Sequence, residues 1–221
     1  MTGKKIFSVD TQLKTKTRKR FIPKKYLLQF YNYQFKNPVY TRTQYLFFFS
    51  FFCGGINFVD MSTLKNTDIL SGYTKEGIAQ RYFIYERDKT HEPIEVDLNK
   101  DIEQQINYLK ENFPCMENYL LPIVTTDENG KALYEHILNK RKKFNKYLKR
   151  MAKLMEFPEG LEDLSTYFAR HSFAMILFNK TKSIDIVSAG LHHVSTETTK
   201  IYLEGFGKDE IAGMTDGLLA S

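Results

Sequence analysis

The sequence predicts a mostly helical domain with one small antiparallel β-hairpin or sheet, an α+β chain in which the β part is minor. Apolar residues recur at helical spacing over long stretches, above all from about residue 129 to 155. Strict alternation occurs between residues 82 and 98, and glycines or prolines punctuate the segments in between. The 221 residues make one domain of ordinary size, and 42% hydrophobic content is enough to fill its core.

Residues 1 to about 20 show little periodicity and read as an extended basic arm. Residues 1 to 25 hold nine cations (Lys4, Lys5, Lys14, Lys16, Arg18, Lys19, Arg20, Lys24 and Lys25) against the single acid Asp10, so this segment is +8. The whole chain is +6, which leaves the remainder near −2. A basic arm on a nearly neutral body is the electrostatic footprint of a nucleic-acid binder.

Pro23 opens a helix at its first turn, where a missing N–H is harmless, and Tyr26, Leu27, Phe30 and Tyr31 give it an apolar stripe. After an Asn37-Pro38 turn, a second helix is expected from about Arg42 to Cys53; apolar on most sides, it belongs at the centre of the core. Gly54-Gly55 ends it. Asp60 and Thr67-Asp68 read as helix and turn caps supporting that corner. Tyr82 to Tyr85 and Ile94 to Leu98 alternate with period two and pair as a hairpin, which places Lys89 on its exposed turn.

A helix from Asp101 to Glu111 is broken by Asn112-Phe113-Pro114. The long helix from about Asn129 to Met155 carries Leu133, Ile137, Phe144, Leu148, Met151 and Met155 on one face. Its other face holds Lys140, Arg141, Lys142, Lys143, Lys146, Lys149, Arg150 and Lys153 with no acid among them. Like charges one turn apart destabilise a bare helix, so a polyanion on this face relieves a conflict; Lys142, Lys143 and Lys146 are candidate phosphate contacts. Pro158-Glu159-Gly160 turns the chain, and Ser165 or Thr166 caps a helix bearing Tyr167, Arg170, His171 and Ala174. Ser183 caps a short helix to Ala189, Gly190 closes it, and Ser195 or Thr196 opens the helix that carries Tyr202. The tail, with Ile211, Met214, Leu218 and Leu219, is weakly amphipathic.

Some functions are disfavoured by what the sequence lacks. Cys53 and Cys115 stand apart and read as small core residues, and the five histidines form no metal-binding array with them. A nuclease using metal-activated water needs such clusters. The most apolar stretch, Tyr45 to Cys53, is too short to span a bilayer, and the start lacks a signal-like pattern, so a cytoplasmic chain without cofactor is expected.

The stretch from Ser165 to Gly205 holds the chemistry. Arg170 is a permanently charged clamp for phosphate oxygens, His193 a hydrogen-bonding or proton-transferring group, and Tyr202, nine residues on in a TTKIYL context, a hydroxyl able to attack phosphorus. Together these residue types cut a phosphodiester without a metal.

The stretches STYFARHSF and SAGLHHVSTETTKIYLEG resemble the catalytic domain of the tyrosine recombinases, the phage integrase-like family, and in detail the integrases of Bacteroidetes mobile elements. The resemblance runs from about Phe21 to Phe206 and implies that family's catalytic-domain fold for residues 21–206, a basic linker over 1–20, and a tail over 207–221 that docks on a neighbouring subunit. It assigns the nucleophile to Tyr202, the second-motif arginine to Arg170, the third-motif histidine to His193, the second-motif histidine position to Tyr167, and, through YERDKT, the hairpin lysine to Lys89. Where the family pattern has its first-motif arginine, CGGINFVDMSTL has Gly54. Arg81 or Arg87 is then expected to supply the missing charge, with Arg81 the first choice. The activity implied is site-specific cutting and rejoining of double-stranded DNA by an oligomer. Two alternatives stand beside it: a DNA-binding homologue disabled by Gly54, and a nicking and closing enzyme of the type IB topoisomerase kind.

Overall fold

Asn37 and Pro38 set where the central helix begins. The computed structural model describes residues 21–193 and 196–204, so the basic arm, the tail, Val194 and Ser195 lie outside the described residues. Asn37 is the N-cap of a helix with Pro38 in its first turn, and its Oδ1 accepts the Val39 N–H at 2.9 Å. The expected turn is thus the start of α2 (Pro38–Phe52) itself, earlier than the apolar run alone indicates. Before it comes α1 (Lys24–Asn32).

Leu46, Phe47, Phe48 and Phe49 are all buried, as a helix apolar on most sides requires. α2 packs against α1 and against three helices further on: α4 (Lys100–Asn112), α5 (Gly130–Leu154) and α6 (Thr166–Thr181). Between them lie α3 (Phe58–Thr63), a 3₁₀ turn over Asn66–Asp68, and a three-stranded antiparallel sheet.

The sheet runs in the order β1 (Ile69–Tyr73), β2 (Ala79–Glu86), β3 (Pro93–Asp97). β2 and β3 form the hairpin that the alternation predicts, with Phe83 opposite Val96. β1 escapes sequence analysis because Ser71 and Gly72 interrupt its apolar pattern; it is completed by pairing Ile69 with Phe83. Phe83 stacks on Phe49 with ring centroids 6.3 Å apart, so the sheet's inner face is seated on α2.

A second, smaller apolar cluster joins α6 to α7 (Ile184–Gly190) and α8 (Thr196–Glu204) through Met175, Val187, Leu191 and Leu203. Ser183 caps α7 as expected, accepting the Ile186 N–H at 3.3 Å, whereas Ser165 occupies the N-cap of α6 without a side-chain bond. The corner before α3 is capped by Asn57, whose Oδ1 accepts from Val59 and Asp60 N–H at 2.8 and 3.1 Å. Asp60 is therefore not the cap. Asp68 does cap its own turn, accepting the Lys65 N–H at 2.7 Å.

Candidate active site

The Gly54-Gly55 turn is pressed onto α6 and the end of α7. Both residues have positive φ, 67° and 75°. A Cβ on Gly54 would run into the Gly190 carbonyl oxygen, and one on Gly55 into the Arg170 backbone. That approach puts carbonyl oxygens around a guanidinium: Arg170 Nη1 donates to Gly54 O at 3.2 Å and to Gly55 O at 3.4 Å, and Nη2 donates to Leu191 O at 2.8 Å. A planar fork held on two nitrogens is oriented before any substrate arrives.

A second guanidinium shares this place. Arg87, immediately after the end of β2, donates from Nη2 to the same Leu191 oxygen at 3.2 Å. It follows Phe83 and Tyr85 on the inner side of the strand, both buried. Next to it the buried Asp60 carboxylate accepts the Asp88 N–H at 3.1 Å and a bond from the Asn57 side-chain amide. Burial pushes the Asp60 carboxyl above the usual range, opposed by the Asp88 N–H and by the charges of Arg87 and Arg170. Asp60 thus ties the root of the β2–β3 turn to α3, and Lys89 lies exposed on that turn.

Arg81 is not part of this group. It forms an exposed ion pair with Glu103 on α4, Nη1 to Oε1 at 3.0 Å. Arg81 and Arg87 have the same strand parity but lie six residues apart, about 20 Å of extended chain. The sequence puts Arg81 forward as the second arginine; in the structure the guanidinium near Arg170 is that of Arg87.

His193 and His192 follow α7 directly. The His193 Nδ1 lies 2.8 Å from Thr199 Oγ1, which links the histidine to α8. Tyr202 is on that helix, three residues beyond Thr199, and its neighbour Leu203 is buried in the second cluster. Burial, then the positive charges of Arg170 and Arg87, then His192, push the His193 imidazole down to about 4. His192 is lowered by burial and by Arg87 and Arg170. Tyr167, in the first turn of α6, is 60% exposed, and its ring centre lies 6.2 Å from that of His171.

These shifts have a sign that can be checked. An unfolded histidine titrates near 6.5, so between about 6.5 and 4 the unfolded chain binds more protons than the folded one at His193. Stability from this group is fully present above about 6.5 and is lost as pH falls through 4. Urea midpoints of the DNA-free chain are expected to fall over that window, with a shallower fall in His193→Gln; equal slopes for the two would overturn the assignment.

Of the predicted DNA contacts, Lys142, Lys143 and Lys146 are exposed on α5; Lys4, Lys5, Lys14, Lys16, Arg18, Lys19 and Arg20 lie outside the described residues. Arg87 is the second choice in the sequence, because alternation gives it the same side of the strand as Arg81 and nothing local ranks the two. Nothing local points to the role of Asp60 either.

A helical domain with this three-stranded sheet defines the tyrosine recombinase catalytic-domain fold, and solved structures of that class share it. The XerH site-specific recombinase bound to its difH substrate in a pre-cleavage complex superposes with a TM-score of 0.59 at 17% identity, covering 90% of this chain and 54% of that one. The XerA recombinase gives 0.56 at 15% identity, covering 88% and 62%. The Tn1549 transposon integrase in complex with transposon right end DNA gives 0.55 at 14% identity, covering 91% and 67%. The chain spans about half the length of the XerH chain it matches. Comparison with curated proteins finds no match. The profile of the phage integrase family matches residues 78–206, and the chain belongs to that family.

Proposed function

We propose that this chain is the catalytic domain of a site-specific DNA recombinase that cuts and rejoins double-stranded DNA through a 3′-phosphotyrosyl bond at Tyr202. The observation that carries the reading is the convergence of Arg170 and Arg87 on one carbonyl oxygen, with His193 held against the helix that bears Tyr202. Members of the phage integrase family are DNA strand transferases, and XerH and the Tn1549 integrase are both solved on DNA. The stretches STYFARHSF and SAGLHHVSTETTKIYLEG support kinship with Bacteroidetes mobile-element integrases.

In this mechanism the Tyr202 oxygen forms a bond to phosphorus as the bond from phosphorus to the 5′-oxygen breaks. The phenolic proton passes to a base or to water, and the leaving 5′-oxygen takes a proton from Lys89 on its exposed turn. Negative charge grows on the two non-bridging oxygens, where Arg170 and Arg87 donate in place of their present carbonyl partner. A neutral His193, its Nδ1 engaged by Thr199, hydrogen-bonds one of those oxygens. Tyr167 offers a phenolic donor at the family's second-motif histidine position. A free 5′-hydroxyl from another strand reverses the step, and the energy of the broken linkage is retained in the phosphotyrosine. The tail over 207–221 joins neighbouring subunits on the DNA, in the cytoplasm.

The test uses a nicked suicide duplex carrying the element's junction. A covalent adduct that resists denaturant is expected, with the DNA-linked peptide containing Tyr202, and Tyr202→Phe is expected to bind the duplex without forming it. An adduct on another residue, or none from a chain that binds the junction, would overturn the strand-transfer reading. The latter result would favour the disabled DNA-binding homologue.

A further inference from the structure

At the other end of α2 from the double glycine, a cleft of about 180 Å³ opens between α2, α5 and the 122–123 segment. Its floor is apolar, from Leu46, Phe58, Ile123 and Phe144, all buried. Its rim is cationic: Arg42 on α2 faces Lys140 and Lys143 on α5, and no acid lines the cleft. Among the described residues, none of the three is in an ion pair. Lys140 Nζ donates to Thr125 Oγ1 at 2.8 Å, and the Arg42 guanidinium lies 6.0 Å from the Phe113 ring centre, so neither head group is neutralised. Burial, then the positive charges of Arg42 and Lys143, depress the Lys140 amine, so like charges crowd this cleft. An anion in the cleft converts that repulsion into attraction.

The distance along α2 indicates which anion. Arg42 precedes the end of α2 at Phe52 by ten residues, about 15 Å of helix, with the double-glycine turn beyond it, so the cleft lies several nucleotides away from a phosphate held by Arg170 and Arg87. A duplex offers phosphates at that range, and the apolar floor accepts the deoxyribose beside one. We infer that the Arg42, Lys140 and Lys143 cleft grips one backbone phosphate of the DNA at a distance from the cut, a contact that positions the duplex. The inference rests on the strand-transfer reading for its DNA and extends the predicted contact face to Arg42 and Lys140.

The test pairs a protein change with a DNA change. In Arg42→Gln/Lys143→Gln, glutamine removes both charges and keeps most of each stem over the floor. Duplexes are made with one neutral methylphosphonate linkage at each position in turn. One linkage is expected to weaken the parent chain about tenfold and to leave the double variant's affinity unchanged. The slope of log affinity against log salt is expected to be about 0.9 shallower in the variant, the loss of one neutralised phosphate. A variant that melts like the parent yet keeps its slope, or in which every linkage acts as in the parent, overturns the cleft. Should the double variant fail to fold, Lys143→Gln alone, at an exposed position, carries the same comparison. A Tyr202 adduct without the phosphate coupling sinks the cleft and leaves the strand-transfer reading. Coupling without an adduct does the reverse.

Discussion

Arg87→Ala is expected to slow covalent adduct formation on a suicide duplex by about 10³-fold or more, with the duplex still bound. The magnitude follows from the role: one oxyanion donor is worth about 10² to 10³ in rate, and an arginine on a transferring phosphoryl group about 10³ to 10⁵. Arg87 and Arg170 meet at the Leu191 carbonyl, 3.2 and 2.8 Å from it, so a phosphate taking that oxygen's place would be met by both forks. Arg87→Lys keeps the charge and loses the planar fork, and recovery of only part of the rate is expected. Arg81→Ala, which breaks an exposed pair with Glu103, is expected to leave the rate within about twofold, because such pairs contribute little. Single-turnover adduct formation at saturating DNA checks all three. A fast Arg87→Ala, or a slow Arg81→Ala, would return the second arginine to open question.

Gly54→Arg is expected to lower adduct formation rather than raise it, and to destabilise the fold by about 3 kcal/mol. The family resemblance makes this substitution look like a repair, since Gly54 stands where an arginine is usual. The backbone rules it out. Residue 54 has φ of 67°, and any Cβ there meets the Gly190 carbonyl oxygen. Relief of that clash moves the Gly54 carbonyl, which accepts from Arg170 at 3.2 Å, so the substitution also disturbs the guanidinium already present. Urea denaturation of the variant, followed by the adduct assay on its folded fraction, gives both numbers. A stable variant with a faster reaction would show that the site lacks an arginine and that Arg87 does not supply it.

Asp60 shows how a residue can be legible in place and hidden in role. Its position after a double glycine and asparagine reads as a cap, yet Asn57 does the capping and Asp60 accepts an N–H from Asp88, 28 residues away. The link matters to the proposed chemistry because Asp88 stands between Arg87 and Lys89. β1 was missed for a related reason. A five-residue strand containing Ser71 and Gly72 has little pattern of its own, and it is held in place by pairing with β2.

What the sequence determined by itself is what local chemistry controls. The helical spacing of α5, the period-two hairpin, the aromatic run of α2, and the residue types Arg170, His193 and Tyr202 in their order can all be read from neighbours along the chain. They suffice for the fold class and for the reaction expected of it. The tertiary structure alone decided which guanidinium joins Arg170, and why Gly54 is glycine. Alternation gives Arg81 and Arg87 the same side of β2 and cannot rank them; the seating of the sheet on α2, through Phe83 and Phe49, puts only the end of the strand beside Leu191. The need for glycine at position 54 arises from Gly190, 136 residues further along, whose carbonyl fills the space a side chain would take. Contacts at that separation are set by how helices and sheet close on one core, and no window of sequence contains them.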